Sequence, residues 1–118
     1  MSTNELASRT CQPLPAGARP LVGDALDGLA AQLDGWEVVE WERLRKTYRF
    51  ADFAQALAFV VDVGRMADEQ GHHPDVALGW GRATIELTTH DAGGLTENDF
   101  VVAAHTDAIA ARHPVQAQ

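Results

Sequence analysis

The longest periodic stretch of this chain decides most of what can be built from it. From Asp52 to about Gln70, apolar residues recur at helical spacing, which predicts a single helix of about five turns. Asp52 stands at its start as an N-cap. Gly71-His72-His73-Pro74 ends it, because glycine suits a helix terminus and proline cannot continue one. One stripe of this helix is Phe53, Leu57, Val60, Gly64 and Ala67, and a second is Ala56, Phe59, Val63 and Met66. The polar stripe is Gln55, Asp62, Arg65 and Glu69. Two adjacent apolar stripes make a wider arc than one sheet contact needs. Two readings stay open: a deeply packed core helix, or a second stripe that meets a partner subunit.

The long helix separates two pairs of strands. Before it, Trp36 to Val39 is short, apolar and partly β-branched, and Glu40-Trp41-Glu42 connects it to Arg43–Phe50. In the latter, Leu44, Lys46, Tyr48 and Phe50 share one face and Arg43, Arg45, Thr47 and Arg49 the other, most simply a solvated face or edge. After the helix, Asp75 to Trp80 and Arg82 to Thr89 read as strands around Gly79 and Gly81. A short amphipathic helix over Val22–Leu33, closed by Asp34-Gly35, precedes the first pair. A last helix follows the second pair, with Thr96 as its cap and Asp99 in the place of the capping-box glutamate, running to about Arg112 before Pro114. The order is helix, two strands, helix, two strands, helix. It predicts an α+β layer with one antiparallel or mixed four-stranded sheet.

Composition bounds the function. The 118 residues make one domain, with net charge −8. That balance argues against nucleic acid and anionic membrane surfaces as partners. The N-terminus has no signal-like or membrane-length apolar run, so a soluble cytoplasmic protein is expected. Residues 1–20, with Pro13, Pro15 and Pro20, read as a flexible or extended leader, and residues 21–118 as the domain. The single cysteine, Cys11, lies in the leader and reads as an incidental exposed thiol.

The histidines are the chemical signal. His72 and His73 sit at the break after the long helix, and His90 ends a strand before the loop Asp91-Ala92-Gly93-Gly94. Two imidazoles facing one cleft give a proton donor and a proton acceptor at neutral pH. Local capping or hydrogen bonding is the plainer alternative. Zinc or iron is disfavoured, since there is no H-E-x-x-H helix and no cysteine partner. No nucleophile elbow or phosphate loop is present, and His105 and His113 read as surface residues.

The stretch from Asp68 to Asp99 resembles pterin-4a-carbinolamine dehydratases. The resemblance rests on Gly71-His72-His73-Pro74, aromatic Trp80, Thr88-Thr89-His90-Asp91 and Gly94-Leu95-Thr96-Glu97-Asn98-Asp99. Gly35-Trp36 and the Tyr48–Phe53 junction extend it over about residues 22–112. It implies three helices packed on one face of a four-stranded antiparallel sheet. It also implies dehydration of 4a-hydroxytetrahydropterin to quinonoid dihydropterin, without metal or other cofactor, supporting tetrahydrobiopterin recycling. By resemblance His72 and His90 are the acid–base pair, while His73 binds and orients the substrate within the catalytic set. Gly71, Trp80, Thr88, Thr89 and Asp91 match positions beside the substrate, and Asp99 matches a motif position that a capping role would equally explain. Gly71 stands where the family often has Asp or Asn, and Trp80 where Tyr is common. A homodimer or homotetramer through the helix 52–70 is expected. The alternative is a non-catalytic protein-interaction or assembly module on the same fold, since animal members also act as dimerisation partners of a homeodomain transcription factor.

Overall fold

The protein is described here by a computed structural model that covers residues 2–116. The first residue of the expected leader and the last two of the expected domain lie outside the described residues. The helices are α1 (Ser2–Ala7), α2 (Gly23–Ala30), α3 (Phe53–Gln70) and α4 (Glu97–Ala110). The strands are β1 (Glu37–Val39), β2 (Arg43–Arg49), β3 (Asp75–Gly79) and β4 (Arg82–Leu87). One turn of 3-10 helix, His90–Ala92, follows β4. The sheet runs β1-β2-β4-β3, and every neighbouring pair is antiparallel.

Alternation divides this sheet into two unlike faces. Leu44 opposes Leu87 and Tyr48 opposes Ala83, all buried beneath the helices. On the other face Arg45 opposes Glu86 and joins it in an ion pair of 2.6 Å, while the Thr47 and Thr84 hydroxyls meet at 2.8 Å. The arginine face is therefore a sheet surface, as the alternation predicted, on which Arg45 pairs with Glu86 across strands while Arg49 and Arg82 oppose each other as like charges.

Helix α3 starts where Asp52 Oδ1 accepts the Gln55 N–H at 2.9 Å. Ala56, Phe59, Val63 and Met66 enter the core, with Phe59 packed on Tyr48 and Phe50 at ring separations of 4.8 and 5.3 Å. The second stripe is thus spent inside the protomer. It is Phe53 and Leu57 of the first stripe that stay out, 41% and 43% exposed, joined by Val61 at 43%. The reading in which the second stripe meets a partner is reversed, because β4 and α4 already fill the space beneath it.

The expected leader differs most from its description. Part of it is helical, and Leu6 in α1 is fully buried in the core cluster. Helix α1 packs on α4, which is buried through Phe100, Val101, Val102, Ala103, Ala104, Thr106 and Ile109. A helix apolar on nearly all sides needs cover on both, and α1 supplies the outer cover. Cys11 is half-buried rather than exposed, its thiol 3.6 Å from the Asn98 carbonyl. His105 and His113 are also partly buried, bonded to the Arg9 carbonyl and to Asp62 at 2.8 Å each. No helix among the described residues is long and apolar enough to cross a membrane.

Candidate active site

The antiparallel ladder brings the start of β3 beside the end of β4, since Asp75 pairs with Glu86. His72 and His73 precede β3 and His90 follows β4, so all three reach the same end of the sheet. Gly71 makes the turn out of α3 in the left-handed conformation, φ 68°, with its N–H on the Ala67 carbonyl at 2.9 Å. Asn and Asp are the side chains that tolerate this conformation best, so glycine keeps the same backbone path.

These residues line a cleft of about 450 Å³. Gly71, His72 and His73 form one side and Thr88, Thr89, His90 and Asp91 the other, with Asn98 between. His90 also borders a smaller hollow of about 220 Å³ with Glu42 and Arg43.

The histidines differ in how they are held. The His72 side chain is 15% exposed and its Nε2 lies 2.6 Å from Oδ1 of Asp99, which is fully buried. Asp99 Oδ2 accepts the Thr96 backbone N–H at 2.9 Å and the Thr89 hydroxyl at 2.7 Å. Thr89 has one hydroxyl hydrogen, given to Asp99, so the Thr96 hydroxyl 2.9 Å away donates to it. A carboxylate accepts and does not donate, so His72 Nε2 carries the hydrogen. In the neutral ring Nδ1 is then left with the lone pair. This is the arrangement of a base held in one tautomer by a buried acid. His73 is 61% exposed and pairs at 2.9 Å with the exposed Asp68, a contact of little energetic weight. His90 and Asp91 are exposed at the mouth.

Asp99 therefore performs both roles that its sequence position allowed, capping α4 and orienting His72. The two threonines face the cleft with their hydroxyls already engaged, Thr88 with the Glu42 carbonyl at 2.7 Å and Thr89 with Asp99. They build the scaffold of the site. Trp80 is not brought in. It is 72% exposed at the β3–β4 turn, the far end of a strand pair about 16 Å long. Sequence reasoning missed Gln12, Pro13 and Leu14, which also line the cleft. Their proline-rich composition carried no periodicity to place them.

Among the described residues no cluster of His, Cys, Asp and Glu is arranged to hold a metal ion. A larger hollow of about 830 Å³ lies between β2 and the end of α4. There Asp107 accepts from Trp36 Nε1 at 3.0 Å, from Lys46 Nζ at 2.8 Å and from the Tyr48 hydroxyl. Burial, then the Asp107 charge, pushes the Tyr48 phenol well above its ordinary range, so it stays a donor. These groups satisfy one another and tie α4 to β2; the histidine cleft, where three imidazoles line one hollow, is the better reaction site.

Comparison with known proteins shows the family to which the chain belongs. A family described as Pterin 4 alpha carbinolamine dehydratase matches residues 19–109. A protein of Rubrobacter xylanophilus is 53% identical over 104 residues, covering 88% of this chain and 97% of its own. One of Chlorobium limicola is 49% identical over 106 residues, covering 87% and 94%. Both bear the name "Putative pterin-4-alpha-carbinolamine dehydratase". A crystal structure titled as a transcriptional coactivator/pterin dehydratase from Brucella melitensis superposes with TM-score 0.73 and 30% identity, over 78% of this chain and 99% of that one. A pterin dehydratase-like protein identified as a RuBisCO assembly factor in the alpha-carboxysome superposes with TM-score 0.57 and 28% identity, over 65% and 90%.

Proposed function

The chain belongs to the pterin-4-alpha-carbinolamine dehydratase family, and from that premise we propose that it dehydrates a 4a-hydroxytetrahydropterin to the quinonoid dihydropterin by histidine acid–base catalysis. The observation that carries the reading is the His72–Asp99 pair in one cleft with His90. The reaction breaks the C4a–O bond and the N5–H bond and forms a C4a=N5 double bond. The hydroxyl leaves as water once an imidazolium protonates it, and a neutral imidazole takes the N5 proton. His72, with its lone pair on Nδ1 and a buried carboxylate behind it, suits the base. The exposed His90 suits the acid, because it recovers its proton from solvent. His73, beside them, orients the ring. Such chemistry belongs to pterin recycling in the cytoplasm.

The test is ultraviolet-monitored dehydration of freshly generated carbinolamine by the wild type, His72→Ala and His90→Ala. Each variant is expected to lose about a hundredfold or more of the catalysed rate. Three equal rates, all matching the uncatalysed reaction, would sink the assignment.

We also propose that the protein is a homodimer or homotetramer joined through α3, on the strength of the exposed line Phe53, Leu57 and Val61. A second reading, a non-catalytic assembly module, draws on the likeness to the assembly factor and on this same apolar line. The two separate on binding of a stable pterin, which the enzyme requires and the module does not.

A further inference from the structure

The acid–base chemistry uses the histidines of the cleft and leaves the N-terminal arm unexplained. This arm, the segment after α1, is fastened at consecutive residues. Cys11 N–H donates to Gln70 Oε1 at 2.8 Å. Gln12 N–H donates to Asn98 Oδ1 at 3.0 Å, and Asn98 Nδ2 returns a bond to the Gln12 carbonyl at 2.9 Å. The Asn98 amide thus imitates a neighbouring strand. Gln70 lies two residues before His72, and Asn98 immediately precedes Asp99. The arm is therefore fixed to the two elements that hold the proposed base. Farther out it is secured by buried Leu6 on one side and by the Leu21 N–H on the Leu95 carbonyl at 2.7 Å on the other.

Pro13 and Leu14 follow directly on these anchors and line the cleft. They are its apolar side chains, in a lining otherwise of His, Thr, Asp, Asn, Gln and Gly. Leu14 is 38% exposed, so a large apolar group is kept at the mouth of a polar site. The arm also lies outside the family-matched residues 19–109.

We propose that this arm reads the substituent at C6 of the pterin and that Leu14 is its specificity-determining residue. The inference rests on the dehydratase reading. C4a and N5 must lie at His72 and His90 for the reaction to occur. C6 is bonded to N5, so its substituent leaves the ring beside the histidines. The pyrimidine half of the ring carries N–H and C=O groups, which need the polar lining. The side chains of Pro13 and Leu14 offer those groups no partner. The apolar wall therefore falls to the carbon edge of the ring, C6 and what it bears.

The test compares equilibrium binding of 7,8-dihydropterin, bare at C6, with that of 7,8-dihydrobiopterin, whose dihydroxypropyl group there presents a carbon chain and methyl end to Leu14. Both are titrated against wild type and Leu14→Ala, with an unchanged thermal midpoint showing that the exposed position leaves the fold intact. Leu14→Ala is expected to weaken dihydrobiopterin about fivefold and to leave dihydropterin unchanged. An equal loss for both ligands would mean that Leu14 touches the common ring, which overturns the assignment. No loss for either would remove the arm from the site altogether. Failure of the wild type to bind any pterin is a separate result, and it falls on the dehydratase reading itself.

Discussion

Asp99 accepts three hydrogen bonds with no exposed surface, from His72, Thr89 and Thr96. Asp99→Asn would set an amide hydrogen against one of those donors. The expected outcome is a fall in kcat of about a hundredfold, together with a stability loss of about 2 kcal/mol by urea titration. Cys11 offers a second measurement at this scale. Burial, followed by the Asp99 and Glu97 charges, raises its thiol from 9.0 to about 11. Its thiolate fraction at pH 8 is then about a hundredfold below that of the unfolded chain. Iodoacetamide labelling should be slower by about that factor, and should climb with pH until about 11. The fold keeps this thiol protonated, so the associated stability is intact below pH 9 and is lost as pH rises toward 11. Labelling at the unfolded rate would show that the arm does not stay docked.

Among the elements, the β1–β2 connection carries visible strain. Glu40 and Trp41 have φ of 53° and 62°, in a turn closed by the Glu42 N–H on the Val39 carbonyl at 3.0 Å. Such turns favour Asn-Gly, and Trp41 is 71% exposed, so it recovers little by packing. Trp41→Gly should therefore stabilise by about 1 kcal/mol, raising Tm by about 4 °C in a thermal melt. The sequence showed this connection but not its handedness. The four strands, α3 and the start of α4 were legible because each shows a full period or a cap: the alternation of Leu44, Lys46 and Tyr48, the Asp52 cap, the Thr96 cap. Helix α1 was not, since six residues with the single anchor Leu6 carry no period. A signal did exist elsewhere, in an α4 too apolar on all sides to be covered by a sheet alone. The candidate cleft was legible to the level of its three histidines with Gly71, Thr88, Thr89 and Asp91, while Trp80 lies away from it. That both threonine hydroxyls are engaged, and that the arm lines the cleft, depended on contacts distant in sequence, such as Thr88 with Glu42 and Gln12 with Asn98.

At the scale of the whole molecule, the exposed line on α3 is where association is expected. Leu57→Glu should shift the sedimenting species toward the 12.7 kDa monomer while leaving the histidine cleft intact. A wild type already monomeric at micromolar concentration would remove that proposal. The open face of the sheet, by contrast, pairs Arg45 with Glu86 across strands but sets Arg49 opposite Arg82. The double duty of Asp99 reaches further than any one protomer. A lineage that abandoned the reaction would gain nothing by discarding this aspartate, because the first turn of α4 would unravel with it. Selection for folding alone would go on preserving part of the catalytic signature. Among descendants of this fold the motif aspartate is thus a poor witness to activity, and His90, whose exposed side chain takes no part, among the described residues, in the hydrogen bonds that hold the fold, is the better one.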